Sequence, residues 1–273
     1  MRILSIQTHP IFILPYKNVA PGSGRRGRPA KVIDAELPLL TATLSQLPDS
    51  LDAIIATSDL QGRIIRNGEE YLLGEILPKK LFQFLVDHRP EIDPNRVGIF
   101  LCGDLFATLT KRGGLGDVRN VWYEFRKYFK WVAGVAGNHD QIGNNKAEFE
   151  AFLKEPNIYF LDGHNKTLEG MEISGVSGII STKRQPFRIP WDEYEAKLDE
   201  VAPYQPDVLL LHQTPSFPEE RYIDSQWIRE YLEEQPPTLI ISGHKHWEVP
   251  LREISNGSQI LNLEARAILL TRN

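Results

Sequence analysis

The chain of 273 residues has 31 Lys and Arg against 36 Asp and Glu, a formal charge of −5, with 41% hydrophobic, 10% aromatic and 25% charged residues. That ordinary globular composition can fill a sizeable core and excludes the disordered and fibrous classes. One cysteine, Cys102, cannot close an internal disulfide, which excludes the stapled secreted class and makes a cytoplasmic location the expectation.

In chain order, residues 3–6 read as a first buried strand, an apolar run without polar alternation. Gln7, Thr8, His9 and Pro10, and then Pro15, interrupt the run, so it lacks a signal-peptide core. Residues 21–31, PGSGRRGRPAK, combine glycines, prolines and four basic residues and are expected as a loop. Ile33, Leu37, Leu40, Leu44 and Leu47 recur at steps of four and three and predict a helix that Pro38 starts or kinks. Strands are expected at 53–56, 97–101, 131–135, 208–211 and 239–241. Helices are expected at 78–88, around Val118, Val121, Trp122, Phe125 and Phe129, and at 146–154, 191–201 and 225–233. No apolar stretch approaches the roughly 20 residues needed to cross a bilayer, so no membrane partner is expected. Strand and helix alternation gives an α/β fold with parallel strand pairs. Residues 171–176, 249–254, 259–263 and 267–270 follow with short turns such as Asn256-Gly257 and predict an antiparallel tail. One domain over 1–273 accommodates both halves as two mixed sheets stacked face to face with helices outside, with a basic loop insertion at 16–32.

Five of these strands deliver polar ligand types at their carboxyl ends. The first runs into Asp59-Leu60-Gln61-Gly62-Arg63, the second into Gly103-Asp104 and the third into Gly137-Asn138-His139-Asp140. The fourth ends at His212, and the fifth at Gly243-His244-Lys245-His246. In open α/β sheets the ligand crevice lies at those ends, so these residues are expected to converge on one edge. Asp, Asn and His offer oxygen and imidazole donors suited to manganese, iron, zinc or magnesium. A glycine before Asp104, Asn138 and His244 fits tight strand-to-loop turns.

This ordered pattern, Asp-x-Gln-Gly, Gly-Asp, Gly-Asn-His-Asp, a lone His and Gly-His-x-His, resembles the calcineurin-like metallophosphoesterase superfamily over residues 53–247. The resemblance implies a four-layer sandwich of two mixed β-sheets flanked by helices. It also implies hydrolysis of a phosphate ester by a hydroxide bridging two divalent ions. Carried over by motif, Asp59, Gln61, Asp104 and His246 hold the first ion, while Asp104, Asn138, His212 and His244 hold the second, with Asp104 bridging. His139 takes the position that faces the leaving oxygen, and Asp140 is its candidate orienting neighbour. Gln61 stands where the family has histidine. Its weaker amide ligand predicts a looser first site, with manganese the first choice of metal and iron, zinc or magnesium the alternatives.

Arg63 is a candidate phosphate contact. Arg25, Arg26 and Arg28 form a basic arm, similar over a few residues to an AT-hook, through which DNA or RNA is a candidate partner. The first functional reading is therefore a phosphodiesterase or nuclease. The alternative is a phosphomonoesterase acting on a nucleotide, sugar phosphate or phosphoprotein. A catalytically weak metal-binding module is suggested only by Gln61, and the presence of His139 and the other ligands argues against it. A strand placing His9 beside the strand before Asp59 would add a further imidazole to the edge.

Overall fold

The computed structural model describes residues 1–24, 28–183, 185–217 and 223–273, the side chains of 223 and 224 excepted. The strands, in chain order, are β1 Ile3–Val19, β2 Val32–Leu44, β3 Ala53–Ser58, β4 Arg63–Arg66, β5 Glu69–Leu72, β6 Val97–Cys102, β7 Gly116–Asp117, β8 Trp131–Val135, β9 Asp140–Gln141 and β10 Ile158–Phe160. They continue with β11 His164–Leu168, β12 Met171–Val176, β13 Ile179–Ile180, β14 Arg188–Ile189, β15 Val208–Gln213, β16 Leu239–Gly243, β17 Leu251–Glu253, β18 Gln259–Asn262 and β19 Arg266–Arg272. The helices are α1 Leu73–His88, α2 Arg119–Tyr128, α3 Lys146–Phe152, α4 Trp191–Val201 and α5 Ile223–Glu233.

Among the described residues two large sheets form, in the orders β10-β8-β6-β3-β19-β2-β1-β4-β5 and β11-β12-β15-β16-β18-β17. The period-two geometry of a strand sends alternate side chains to opposite faces, and in the central strands β3, β6, β8, β15 and β16 both faces are covered. Ile54, Ala56, Phe100 and Cys102 of the first sheet meet Ile173, Leu210, Ile241 and Leu261 of the second in a central core. Ile55, Ile99 and Leu101 face the other way, toward Leu77 and Leu81 of α1 and Val121, Trp122 and Phe125 of α2. Leu209, Leu211 and Ile240 face Tyr194 and Leu198 of α4 and Ile228 of α5. The result is the four-layer sandwich of two mixed sheets flanked by helices. No helix among the described residues is long and apolar enough to cross a membrane.

The helix expected over residues 33–47 is instead strand β2, paired antiparallel with β1 and parallel with β19. Leu37 and Leu39 point into the helix-side core, whereas Leu40, Ala42 and Leu44 point into the core between the sheets. A strand buried on both faces places apolar residues at spacings that imitate a helix, and Pro38 sits within it without ending it. Residues 16–19 and 32, expected in the loop, are strand, and of the basic segment 25–27 lie outside the described residues.

Two further expectations are corrected. The tail is only partly antiparallel: β17 and β18 form the hairpin around Asn256-Gly257, but β12 and β18 pair parallel with β15 and β16. β19 crosses to the first sheet, antiparallel to β3. That strand and β2 separate β1 from β3, so His9, exposed in an irregular stretch of β1, does not emerge beside Asp59.

Candidate metal centre

The parallel strands β3, β6 and β8 of one sheet and β15 and β16 of the other open on a common edge. Contacts among their loops lock the two sheets together there. The Asp59 N–H donates to Gly103 O at 2.9 Å, and the His244 N–H donates to Asp59 Oδ2 at 2.8 Å. A Cβ on Gly137 would strike Asp104, and one on Gly243 would strike Ser58 and Asp59. These two glycines therefore serve the close approach of neighbouring loops, a tighter requirement than the turn that their position suggested.

Asp59, Asp104 and His244 adopt φ of 53°, 54° and 70°. Left-handed backbone costs about 1–3 kcal/mol at a non-glycine residue and gathers at functional sites. Three such residues on one strand edge mark where folding stability has been given up for geometry.

Around Asp104 the donors converge. Ligand atoms of Asp104, His212 and His244 lie within 4.8 Å of one another, and among the described residues no other three His, Cys, Asp or Glu side chains do so. His212 is fully buried, its Nδ1 lies 2.7 Å from Cys102 O and its Nε2 lies 3.3 Å from Asp104 Oδ1. A carbonyl only accepts, so Nδ1 carries a proton and Nε2 is the atom turned toward the centre. Asn138 is buried, and its Oδ1 has no hydrogen-bond partner.

Electrostatics separate the two imidazoles. Burial, followed by the neighbouring His212, pushes His244 down to about 3 and keeps it neutral, the form that ligates metals. Burial opposes a charge on His212 too, but Asp104 and then Asp59 push it up to about 9. Against the effect of burial, His212, with His139 and His244, holds the Asp104 carboxyl well below the usual range. Burial, with Asp104 and Glu264 adding to it, pushes Asp59 up to about 8.

The remaining expected residues are distributed unevenly. Asp59 is buried and its Oδ2 accepts from the Ser58 hydroxyl at 2.7 Å. Gln61 donates from Nε2 to Asp104 Oδ2 at 2.7 Å. His246 stays outside the cluster, its side chain 61% exposed, with Nδ1 2.8 Å from Glu264 Oε2. His139 is held by its backbone N–H on Asp104 Oδ1 at 2.9 Å and by Nδ1 on Gly114 O at 2.7 Å.

Asp140 differs from its expected role. Its Oδ1 accepts from the N–H groups of Leu105 and Phe106 at 2.7 and 3.2 Å, and its Oδ2 from Gly137 at 2.8 Å. Gly114 O, not Asp140, is the partner that orients the His139 ring. The carboxylate instead fastens the Asp104 loop to the Asn138 loop. Arg63 donates from Nε to Ala107 O at 2.7 Å and lies over the Phe106 ring. Arg28 is exposed in the hairpin turn, and Arg25 and Arg26 lie outside the described residues.

Sequence reading missed Ser58, the Gly114 carbonyl, Glu264 and Arg266. For Glu264 a signal was present: β18 is a further parallel strand, and Asn262 and Glu264 stand at its carboxyl end on the same edge. Asn262 donates to Lys245 O at 2.7 Å and so helps to fix the loop that carries His244.

The residues fit a divalent ion. Asn138 Oδ1 is buried without a hydrogen-bond partner, and His212 Nε2, with only Asp104 Oδ1 at 3.3 Å, turns toward the same space, beside an ionised carboxylate and a neutral imidazole. An orphaned buried oxygen is costly unless something outside the protein satisfies it.

A crystal structure of TT1561 of Thermus thermophilus matches over 78% of this chain and 88% of that one, with a TM-score of 0.53 and 17% identity, a likeness of fold. No curated protein matches the chain. Residues 53–248, from the start of β3 to just past His246, match the model of the calcineurin-like phosphoesterases, and the chain belongs to that family.

Proposed function

We propose that the protein is a divalent-metal-dependent hydrolase of phosphodiesters. The observation that carries the metal dependence is the convergence of Asp104, His212 and His244 beside the unpartnered Asn138 Oδ1. These four residues would hold an ion, with Asp59, Gln61 and His246 the further donors that the motif order offers. Manganese suits a set rich in oxygen with two imidazoles. When bound, the metal supplies an activated water and takes up charge on the phosphoryl oxygens.

The protein's own groups do the rest. With Nδ1 committed to Gly114 O, the protonated His139 ring carries its second proton on Nε2, and would donate it to the leaving oxygen. Asp140 would act by position, keeping Asp104 and Asn138 on adjoining loops.

Two cations support the diester reading. Lys111 and Arg112 stand with Asn18, Gln61 and Phe106 where the β1-β2 hairpin meets the loop after Asp104. Arg112 donates to Val19 O at 3.2 Å, which joins the two segments. Cations so placed beside Gln61 suit a substrate whose chain of negative charge continues past the scissile phosphate, and make nucleic acid one candidate. Arg63, a cation fixed by Ala107 O, favours a second reading, the greater charge of a monoester. A cytoplasmic setting is supported by the single, buried Cys102.

The test uses metal-stripped protein re-supplied with manganese, against bis-p-nitrophenyl phosphate, p-nitrophenyl phosphate, and single- and double-stranded DNA. Diester turnover is expected, and DNA cleavage would narrow the activity to a nuclease. Turnover of the monoester alone would replace the first reading with the second.

A further inference from the structure

We infer that the centre is built for one tightly held divalent ion, and that the Gln61 amide takes the place on Asp104 that a second ion would occupy. This rests on the metal-dependent reading above and specifies how the chain realises it.

The two halves of the donor set are in different states. On one side Asn138 Oδ1 is buried and without a hydrogen-bond partner, His212 Nε2 faces only Asp104 Oδ1 at 3.3 Å, and His244 is close by. On the other side each candidate residue is already engaged by the protein through one of its polar atoms. Gln61 turns its Nε2, not its carbonyl oxygen, toward Asp104 Oδ2 at 2.7 Å. An amide N–H has no lone pair to give a cation, and its hydrogen occupies the carboxylate oxygen that a bridging ligand would offer. Asp59 Oδ2 accepts from both the Ser58 hydroxyl and the His244 N–H. His246 is turned outward, with Nδ1 on Glu264.

Packing points the same way. Arg266, 6% exposed, pairs in the β3-β19 ladder with Ser58, the residue before Asp59. Its Nη2 lies 3.3 Å from His246 Nδ1 and donates to Trp247 O at 2.7 Å. With Glu264 Oε2 at 2.8 Å from the same nitrogen, the His246 ring is held by protein groups and turned from the centre.

The test is metal stoichiometry, read without turnover. Metal-free protein is titrated with manganese by calorimetry, the loaded protein is analysed for metal after gel filtration, and its paramagnetic resonance spectrum is recorded. One ion per chain with the spectrum of an isolated ion is expected. Gln61→His removes the amide donor and adds an imidazole, so it should take up a second ion and give the exchange-coupled spectrum of a pair. Gln61→Ala, which adds no ligand, should stay at one ion.

Two ions of comparable affinity in the unaltered protein would overturn the inference and leave the metal-dependent function standing. No ion at all would overturn both. Failure of Gln61→His to gain an ion would overturn the part assigned to Gln61.

Discussion

Replacing Asp140 tests whether its carboxylate is the fastening between the two ligand loops. In Asp140→Asn the retained oxygen still accepts from Leu105 and Phe106, but an NH2 group now confronts the Gly137 N–H. One bond to the buried carboxyl, whose pKa burial and then Asp104 push up to about 7, is lost, and the Gly137 N–H is left unsatisfied, a cost of about 1–3 kcal/mol. Asp140→Ala strands all three amides, and at about 1–3 kcal/mol each this takes a large share of a native stability of about 5–15 kcal/mol. Because Asp104 and Asn138 ride on the fastened loops, manganese affinity should also fall in Asp140→Asn, on the order of tenfold, equivalent to about 1.4 kcal/mol. Denaturant unfolding of the metal-free protein gives the first quantity and calorimetric titration the second. A variant within about 0.5 kcal/mol of the parent, with unchanged metal affinity, would refute the fastening role.

Three further outcomes are expected. His139→Ala should keep the bound ion and lower turnover by about 10²–10⁴-fold, as for a lost general acid; turnover within a few-fold of the parent would remove it from the chemistry. In the metal-free protein His212 and Asp59 both have folded pKa values raised, to about 9 and about 8. For groups so shifted, the protonated folded form is favoured, so their contribution to stability is greatest at low pH and is lost as pH rises through those values. Thermal midpoints of metal-free protein should therefore fall between about pH 6.5 and 9, and manganese should remove that slope; a flat profile without metal would contradict the assigned charges. Lys111→Ala should raise KM for a polyanionic substrate and flatten its salt dependence, while KM for a small diester such as bis-p-nitrophenyl phosphate changes little. Equal effects on both would detach Lys111 from substrate choice.

Much of this architecture is legible in the sequence because β3, β6, β8, β15 and β16 are short runs buried on both faces, each ending in a motif. Converging ligand types at parallel strand ends then follow from sheet geometry alone. The same double burial misled at β2, where Leu37 and Leu40 serve opposite cores and mimic a helical stripe. Placing His9 beside Asp59 failed with that helix, since the intended crossover is a hairpin.

Within the site, residue type located the donors but could not reveal their partners. Whether Asp140 faces His139 or three amides, and whether His246 faces the centre or Glu264, depends on loops distant in sequence. The wall opposite His246 comes from Arg266 of the strand that crosses back into the first sheet. No local pattern announces that crossing.

The central claim, phosphoester hydrolysis that depends on an ion held around Asp104, is met most directly by comparing the parent and Asp104→Ala after stripping and manganese re-supply. Manganese-dependent hydrolysis of bis-p-nitrophenyl phosphate is expected of the parent, and neither retained ion nor turnover of the variant. Hydrolysis by Asp104→Ala at the parental rate, or by parent protein freed of metal, would contradict that claim.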